Sequence, residues 1–306
     1  MGIDSLRTEV SERWNRAARV VGIAPEAHTD LRVKILENPS TDYTFGAILN
    51  PHRFQRPMKP KECPLCEAIE FGREDPRRLL FSEGTNANYL FIPNLFPVVQ
   101  GASLALSRGT GEGEIPMFHA GTSDGRDLAG ELGEMFSFAD RTGFRVYHNG
   151  DGAGASIVRH EHFPLVDFTS AYRLAGRVYG FEAATKEGIG GVGGARQMPE
   201  FPFAHIILDQ QDSERIISFL HRMNEDLGPR YEKGFVPHSL SQGRQGDILV
   251  VPRKVYSFPG TGAGDVSGHM TFKDEASFNG ATYESCISFL ERDVFRDSEI
   301  DLIKYL

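Results

Sequence analysis

The chain has 306 residues and a mass of 34.0 kDa, which suits two modest domains or one domain built from two halves. Its net charge of −9 disfavours nucleic acid as a partner, because a polyanion is bound best by a basic surface. The sequence has no apolar run of about 18 residues, no apolar signal core at its N-terminus and only three cysteines. We therefore expect no membrane span and a location in the reducing cytoplasm.

Helical and strand patterns alternate through the first half of the chain. Apolar residues at helical spacing predict helices over residues 1–24 and 126–140. Short apolar runs predict strands over Leu31–Leu36, Tyr43–Leu49, 88–93, 96–106, Phe144–Tyr147 and Val158–Asp167, with a turn at Asn94. This order of elements predicts an α+β fold with an antiparallel sheet and flanking helices.

The second half repeats this order of strand, helix and two strands. Its predicted elements are strands over Phe203–Leu208, Asp247–Arg253 and 268–273, and helices over Ser213–Leu227 and 281–305. The glycine-rich stretch 187–196 separates the two series and is typical of a loop. We predict a first half over 1–186, a linker over 187–197 and a second half over 198–306, related by internal duplication.

Two histidines one residue apart, His160 and His162, follow a glycine-rich turn that contains Gly152 and Gly154. On a β-strand both imidazoles would share one face, and bare backbone N–H groups of the turn would hold phosphate oxygens. This pattern favours nucleophilic attack on a nucleotide phosphorus. The alternative is an ordinary structural pair of histidines beside a tight turn.

Four motifs occur in an order and at a spacing that resemble those of a known family. They are Asn50-Pro51-His52-Arg53, Cys63-Pro64-Leu65-Cys66, Asn94-Leu95-Phe96-Pro97-Val98-Val99, and Gly154-Ala155-Ser156 leading to His160-Glu161-His162. Across about residues 40–170 the chain resembles the galactose-1-phosphate uridylyltransferase branch of the histidine-triad superfamily. Within that branch it is most similar to the nucleotide phosphorylases that act on diadenosine tetraphosphate or GDP-hexoses. The resemblance implies a histidine-triad-like sheet, present as two half-repeats, in a protein that forms a homodimer.

The resemblance implies that His162 attacks the α-phosphorus and becomes nucleotidylated, with His160 and Ser156 as the other catalytic residues. It further implies that Asn94 lines the nucleoside pocket and that Asn149 orients the imidazole or binds phosphate. Gly152, Gly154, Arg159 and Arg53 are our further candidates for contacts with the phosphate groups. A second polar group or a backbone carbonyl must fix the tautomer of the attacking imidazole. The arginines are either phosphate clamps or solvated charges, and Arg253 and Lys254 in the second half offer the same two interpretations.

Three positions differ from the family pattern. Three residues rather than two separate Ser156 from His160, so a regular strand there needs a bulge. Pro164 stands where relatives carry glutamine, so a phosphate contact is either lost or made by another residue such as Arg159. Glu161 is charged where relatives are often apolar, so its face is partly solvated or the carboxylate is paired.

Cys63 and Cys66 have the spacing of zinc ligands. In the uridylyltransferases this pair binds structural zinc together with two histidines, of which His160 would be one here. The second family histidine is missing, and His119 or His52 would have to replace it. The alternative is two buried thiols, and in either case the chemistry requires no cofactor.

We therefore expect a nucleotidyltransferase of the phosphorylase type. It would cleave a nucleotide phosphoanhydride through a nucleotidyl-histidine and pass the nucleotidyl group to phosphate or a sugar phosphate. The substrate would be a dinucleoside polyphosphate, a nucleoside di- or triphosphate, or a nucleotide sugar. The alternatives are a nucleotide-binding module that has lost turnover and a hydrolase that uses water as the acceptor.

Overall fold

The computed structural model describes residues 31–51, 89–94, 99, 103–107, 121–122, 127–154, 160–183, 189–190, 194–243, 246–256 and 261–306, and eight residues between 5 and 19. Those eight residues are helical and fall within the helix predicted over 1–24. The described strands form a nine-stranded sheet and a three-stranded sheet.

Besides the helical residues near the N-terminus and a 3₁₀ turn at Gly180–Glu182, the described part of the first half forms six strands and two helices. They are β1 (Arg32–Asn38), β2 (Thr41–Leu49), β3 (Tyr89–Pro93), β4 (Ser103–Ser107), α1 (Leu128–Thr142), β5 (Arg145–Asn149), β6 (His162–Val166) and α2 (Thr169–Ala175).

The second half contributes six strands, four helices and three short 3₁₀ turns. They are β7 (Ile189–Gly190), β8 (Arg196–Gln197), β9 (Ile206–Asp209), α3 (Ser213–Leu227), β10 (His238–Gln242), β11 (Asp247–Pro252), α4 (Ala263–Val266), β12 (His269–Phe272), α5 (Glu275–Gly280) and α6 (Tyr283–Leu290), with the 3₁₀ turns at Gly228–Arg230, Asp297–Glu299 and Ile303–Tyr305.

The strand order of the large sheet has an internal two-fold pattern. The order is β3-β4-β6-β5-β10-β11-β9-β8-β7, with every neighbouring pair antiparallel. The series β4-α1-β5-β6 in the first half therefore corresponds to β9-α3-β10-β11 in the second. The two series meet where β5 pairs with β10, at Asn149 opposite Ser239. This arrangement confirms the predicted antiparallel α+β fold with two half-repeats, while the residue bounds of the halves stay a prediction.

Helices α1 and α3 cover one face of the large sheet. An aspartate starts each helix, since the side chain of Asp127 accepts a hydrogen bond from the backbone N–H of Gly130, and Asp212 does so from Arg215. Each helix places an apolar stripe on the core that includes Leu132, Phe136, Phe219, Leu220, Val146, Leu240 and Val250. Burial of these stripes, rather than helix propensity, supplies most of the stability of such helices.

The three-stranded sheet packs on the opposite face of the large sheet. Its order is β1-β2-β12, and β12 runs parallel to β2. Phe45 on β2 shares an apolar core with Leu249 and Val251 on β11. The strand predicted over 268–273 exists as β12. The prediction that it is the fourth element of the second repeat was wrong, because it pairs with β2 in the other sheet. That place belongs to β11, and the polar strand β10 was not predicted.

Three further predicted elements have different bounds in the structure. β4 begins at Ser103, not at 96, and Val99 lies in a bend. β6 begins at His162, not at Val158. The helix predicted over 281–305 ends at Leu290, after which the chain continues in 3₁₀ turns. The stretch 187–196 contains the edge strand β7 and the start of β8. Within the described residues no helix has the length and hydropathy needed to cross a membrane.

Replacing Leu220 with alanine is expected to lower the free energy of unfolding by about 2–5 kcal/mol, because it opens a cavity between α3 and the sheet. Urea unfolding measures the change. Ser218→Ala, at an exposed position on the same helix, is the matched control and should change little. Equal effects of the two substitutions would contradict the placement of this helix face in the core.

Candidate functional site

β5 and β6 bring the glycine turn and His162 to the same end of the sheet. The chain leaves β5 at Asn149, and β6 begins at His162, so the end of one antiparallel strand lies beside the start of the other. Side chains alternate along both strands, and Val166 lies opposite Arg145. His162 and Asn149 therefore face the same side of the sheet.

The imidazole of His162 is held by the backbone of the residue two positions earlier. Its Nδ1 lies 2.9 Å from the carbonyl oxygen of His160, so Nδ1 carries the proton and donates it. The lone pair is then on Nε2, which makes no hydrogen bond to any described residue. Burial lowers the pKa of His162, and the His160 carbonyl and the Glu161 carboxylate oppose this effect. The ring is therefore neutral and nucleophilic near pH 7.

The prediction that both imidazoles lie on one strand was wrong. His160 lies in a bend before β6, so strand alternation does not set its direction. Its side chain is buried, and its backbone carbonyl is the group that contacts the His162 ring. The two histidines therefore play different parts, because the ring of His162 donates the hydrogen bond and His160 accepts it through its backbone.

Glycines give the turn after β5 its shape. Gly152 and Gly154 have φ values of +78° and +86°, which side chains of L-residues rarely adopt. The backbone N–H of Ala153 donates to the carbonyl of Gly150 at 2.9 Å. A Cβ atom at Gly154 would lie 2.3 Å from the carbonyl oxygen of Thr261, so the turn packs directly against the second half.

Asn149 connects this turn to α4 in the second half. Its Oδ1 accepts hydrogen bonds from the backbone N–H of Ala263 at 2.5 Å and from the hydroxyl of Ser239 at 3.3 Å. Both of these hydrogen bonds use Oδ1. The Nδ2 group, which can donate two protons, makes no hydrogen bond to the described residues.

Arg253 adds a buried guanidinium to the hydrogen bonds that link Asn149 to the second half. Its guanidinium is buried and donates from Nη2 to the Ser239 hydroxyl at 2.7 Å. Burial lowers its pKa to about 10, while the nearby carboxylates of Asp265 and Asp293 favour the charge. Sequence reasoning named Arg253 but missed Ser239. The signal for Ser239 was a polar run, His238-Ser239-Leu240-Ser241-Gln242, that the fold buries throughout as β10.

His205 provides an internal comparison for His162. Its Nδ1 also lies close to the carbonyl two residues earlier, that of Phe203, at 2.8 Å. Its Nε2, however, accepts a hydrogen bond from the backbone N–H of Met198 at 2.7 Å, and burial lowers its pKa to about 4. Both nitrogens of His205 are thus used inside the protein, so its role is structural.

Several predicted site residues lie outside the described residues, namely Arg53, Cys63, Cys66, Ser156, Arg159, His52 and His119. Asn94 is described and half-buried at the end of β3. Of the predicted zinc ligands only buried His160 is described, and within the described ranges no three His, Cys, Asp or Glu side chains are grouped to hold a metal ion. The zinc site stays a prediction.

Replacing Gly154 with alanine is expected to destabilise the protein by about 2 kcal/mol or more, because the new Cβ collides with the Thr261 carbonyl. Gly176 has a similar φ of +74° but open space around it, so Gly176→Ala should cost only about 1 kcal/mol. Thermal unfolding of the two variants separates the collision from the backbone preference. A Gly154→Ala variant as stable as Gly176→Ala would contradict the described packing.

No protein-family model matches the chain, and no curated protein matches it in sequence. Comparison with solved structures finds yeast Ap4A phosphorylase Apa2, which is 14% identical to the chain. The TM-score is 0.65 for a structure described only as Apa2, with 98% of each chain covered. It is 0.64 for the complex with Ap4A, covering 95% of this chain and 98% of the other, and 0.62 for the complex with AMP, covering 97% of each. The chain therefore shares the fold of yeast Ap4A phosphorylase Apa2 over nearly its whole length.

Proposed function

We propose that the protein is a nucleotidyltransferase of the phosphorylase type that works through a nucleotidyl-His162 intermediate. The observation that carries this proposal is the hydrogen bond from His162 Nδ1 to the His160 carbonyl, which leaves the Nε2 lone pair for a ligand. The glycine turn at the same end of the sheet and the phosphorylase fold support it.

The proposed reaction has two displacements at phosphorus. In the first, the Nε2 lone pair forms a bond to the α-phosphorus, and the anhydride P–O bond breaks with its electron pair on the leaving phosphate oxygen. In the second, an oxygen of the acceptor phosphate attacks the same phosphorus, and the P–N bond breaks to return the neutral imidazole. The His160 carbonyl stabilises the positive charge that the ring carries in the intermediate.

The groups around the turn are suited to binding phosphate oxygens. Backbone N–H groups near Gly152 and Gly154 and the Nδ2 group of Asn149 would donate to them, as the family resemblance implies. Arg53, Arg159 and Ser156 remain proposed contacts, and Asn94 remains the proposed nucleoside contact.

The first substrate to test is a dinucleoside polyphosphate, because structures of Apa2 are described with Ap4A and with AMP. Nucleoside diphosphates, triphosphates and nucleotide sugars with adenine, guanine and uracil bases complete the panel. Product release that depends on added inorganic phosphate indicates phosphorolysis, whereas release without phosphate indicates hydrolysis.

A nucleotide-binding module without turnover is the second candidate. It is favoured by Pro164, which lies on the same face of β6 as His162 and offers no hydrogen-bonding side chain where the family has glutamine. Nucleotide binding without label transfer or product release would select this alternative. A homodimer, a structural zinc and a cytoplasmic location are further proposals from the resemblance, and the chemistry depends on none of them.

Wild-type protein incubated with a nucleotide labelled at its α-phosphate is expected to acquire an acid-labile, base-stable label. His162→Gln should abolish the label, because the attacking nitrogen is lost. His205→Gln is the matched control, since it removes a buried imidazole with the same carbonyl contact, and it should keep the label. A wild-type protein that never labels with any nucleotide of the panel would contradict the covalent mechanism.

The rate of labelling in a single turnover is expected to rise with pH and to reach half its maximum below pH 6.5, the ordinary value for histidine. The reason is that burial lowers the pKa of His162, so its nucleophilic neutral form persists into mildly acidic solution. Rapid-quench measurement from about pH 5 to about pH 8 gives the midpoint. A midpoint above 6.5 would show that the ring is not desolvated as described.

A further inference from the structure

Glu161, the residue between the two histidines, is a buried carboxylate. Its side chain is 0% exposed, and its Oε1 lies 2.9 Å from Nε2 of His148, whose side chain is 1% exposed. The sequence left open whether this charge is solvated or paired. It is paired, with a partner 13 residues earlier on β5.

His148 is a rigid partner because it belongs to the centre of the sheet. It lies opposite Leu240 where β5 pairs with β10, so its backbone is held against a strand of the second half. Its ring also packs beside Phe163 and His238, with centroid separations of 5.3 and 5.8 Å. A group that is hydrogen-bonded to His148 Nε2 is therefore held in a fixed position relative to β5.

The segment that Glu161 anchors is the one that fixes the nucleophile. His160 and Glu161 precede β6 and have no place in its ladder with β4, which begins at His162. The His160 carbonyl nevertheless has to stay 2.9 Å from His162 Nδ1. The side chain of Glu161, one residue away from each, connects this irregular backbone to β5.

A carboxylate is a costly choice for a position whose only task is to fill space. Burying a charge requires desolvation that an apolar side chain of similar volume avoids, so such a pair is better suited to fixing a geometry than to adding stability. The Glu161 carboxylate also raises the pKa of His162 against the effect of burial, which places its charge within electrostatic reach of the ring.

We propose that Glu161 and His148 are positioning residues, whose contact holds the His160 carbonyl against His162 Nδ1 and thereby keeps Nε2 of His162 aimed at the ligand. The proposal rests on the proposed function for its catalytic consequence, but its structural claim concerns the unliganded protein. Neither residue is expected to touch the nucleotide.

The test combines the tautomer of His162 with the kinetics of labelling. Nitrogen-15 NMR of the unliganded protein at mildly alkaline pH reports which ring nitrogen carries the proton. Rapid quench over a range of nucleotide concentrations separates the maximal labelling rate from the apparent dissociation constant of the nucleotide. Wild type should show protonated Nδ1.

Glu161→Gln keeps an oxygen acceptor for His148 Nε2, so it should retain protonated Nδ1 and label within about threefold of the wild-type rate. Glu161→Met fills the space without an acceptor. It should give a mixture of tautomers and lower the maximal rate by about tenfold to a hundredfold, with little change in nucleotide affinity. If Glu161 had a purely structural role, Glu161→Gln and Glu161→Met would not differ in this way. Nor would the labelling rate fall while the nucleotide affinity stayed the same.

The double variant Glu161→Met with His148→Phe guards against a failure to fold, since replacing both partners of a buried pair by apolar groups is often tolerated. It should show the same mixed tautomers and slow labelling as Glu161→Met. If a folded variant lacking the contact keeps protonated Nδ1 at His162, the proposal is overturned. If wild type does not label at all, the proposed function fails, but the NMR comparison still decides whether Glu161 positions the ring.

Discussion

The hydrogen bond from His162 Nδ1 to the carbonyl oxygen of His160 is the constraint on which the account of this site depends. It selects one tautomer, and it leaves a lone pair on the nitrogen that faces away from the backbone. The same carbonyl contact at His205 has no chemical consequence, because there the second nitrogen accepts a hydrogen bond from Met198. The distinction between a structural histidine and a candidate nucleophile is therefore a matter of what the distal nitrogen meets.

The large sheet brings residues of the second half next to His162 and the glycine turn. The two half-repeats join at β5 and β10, so residues of the second half lie beside the turn and His162 of the first. Asn149 bonds to Ser239 and to the start of α4, and Ser239 in turn accepts from Arg253. In the strand β11, which corresponds to β6, the sequence Asp247-Ile248-Leu249-Val250-Val251-Pro252 contains no histidine. The second repeat thus supports the site of the first rather than duplicating it.

Local patterns predicted much of the fold. Helices α1 and α3 carry clear apolar stripes, so sequence reasoning found both within two residues. β10 was missed because four of its five residues are polar although all are buried, and burial of polar groups is decided by distant partners. The pairing of β12 with β2 joins residues more than 200 positions apart, which no local pattern encodes.

For the site, the sequence named His162, Gly152 and Gly154 as candidates because a histidine pair follows a glycine-rich turn, and the family resemblance added Asn149. It did not reveal that Asn149 bonds to Ala263, 114 residues away, or that Glu161 is paired with His148. Nor did it reveal that His160 acts through its backbone, since that depends on where β6 begins.

The stereochemical course at the α-phosphorus shows whether His162 is nucleotidylated during the reaction. A substrate made chiral at that phosphorus with sulfur and an oxygen isotope is converted to product, whose configuration is then determined. Each in-line displacement inverts the phosphorus, so two displacements through nucleotidyl-His162 predict overall retention. Overall inversion would mean that the acceptor attacks the bound nucleotide in one step, and it would contradict a covalent role for His162.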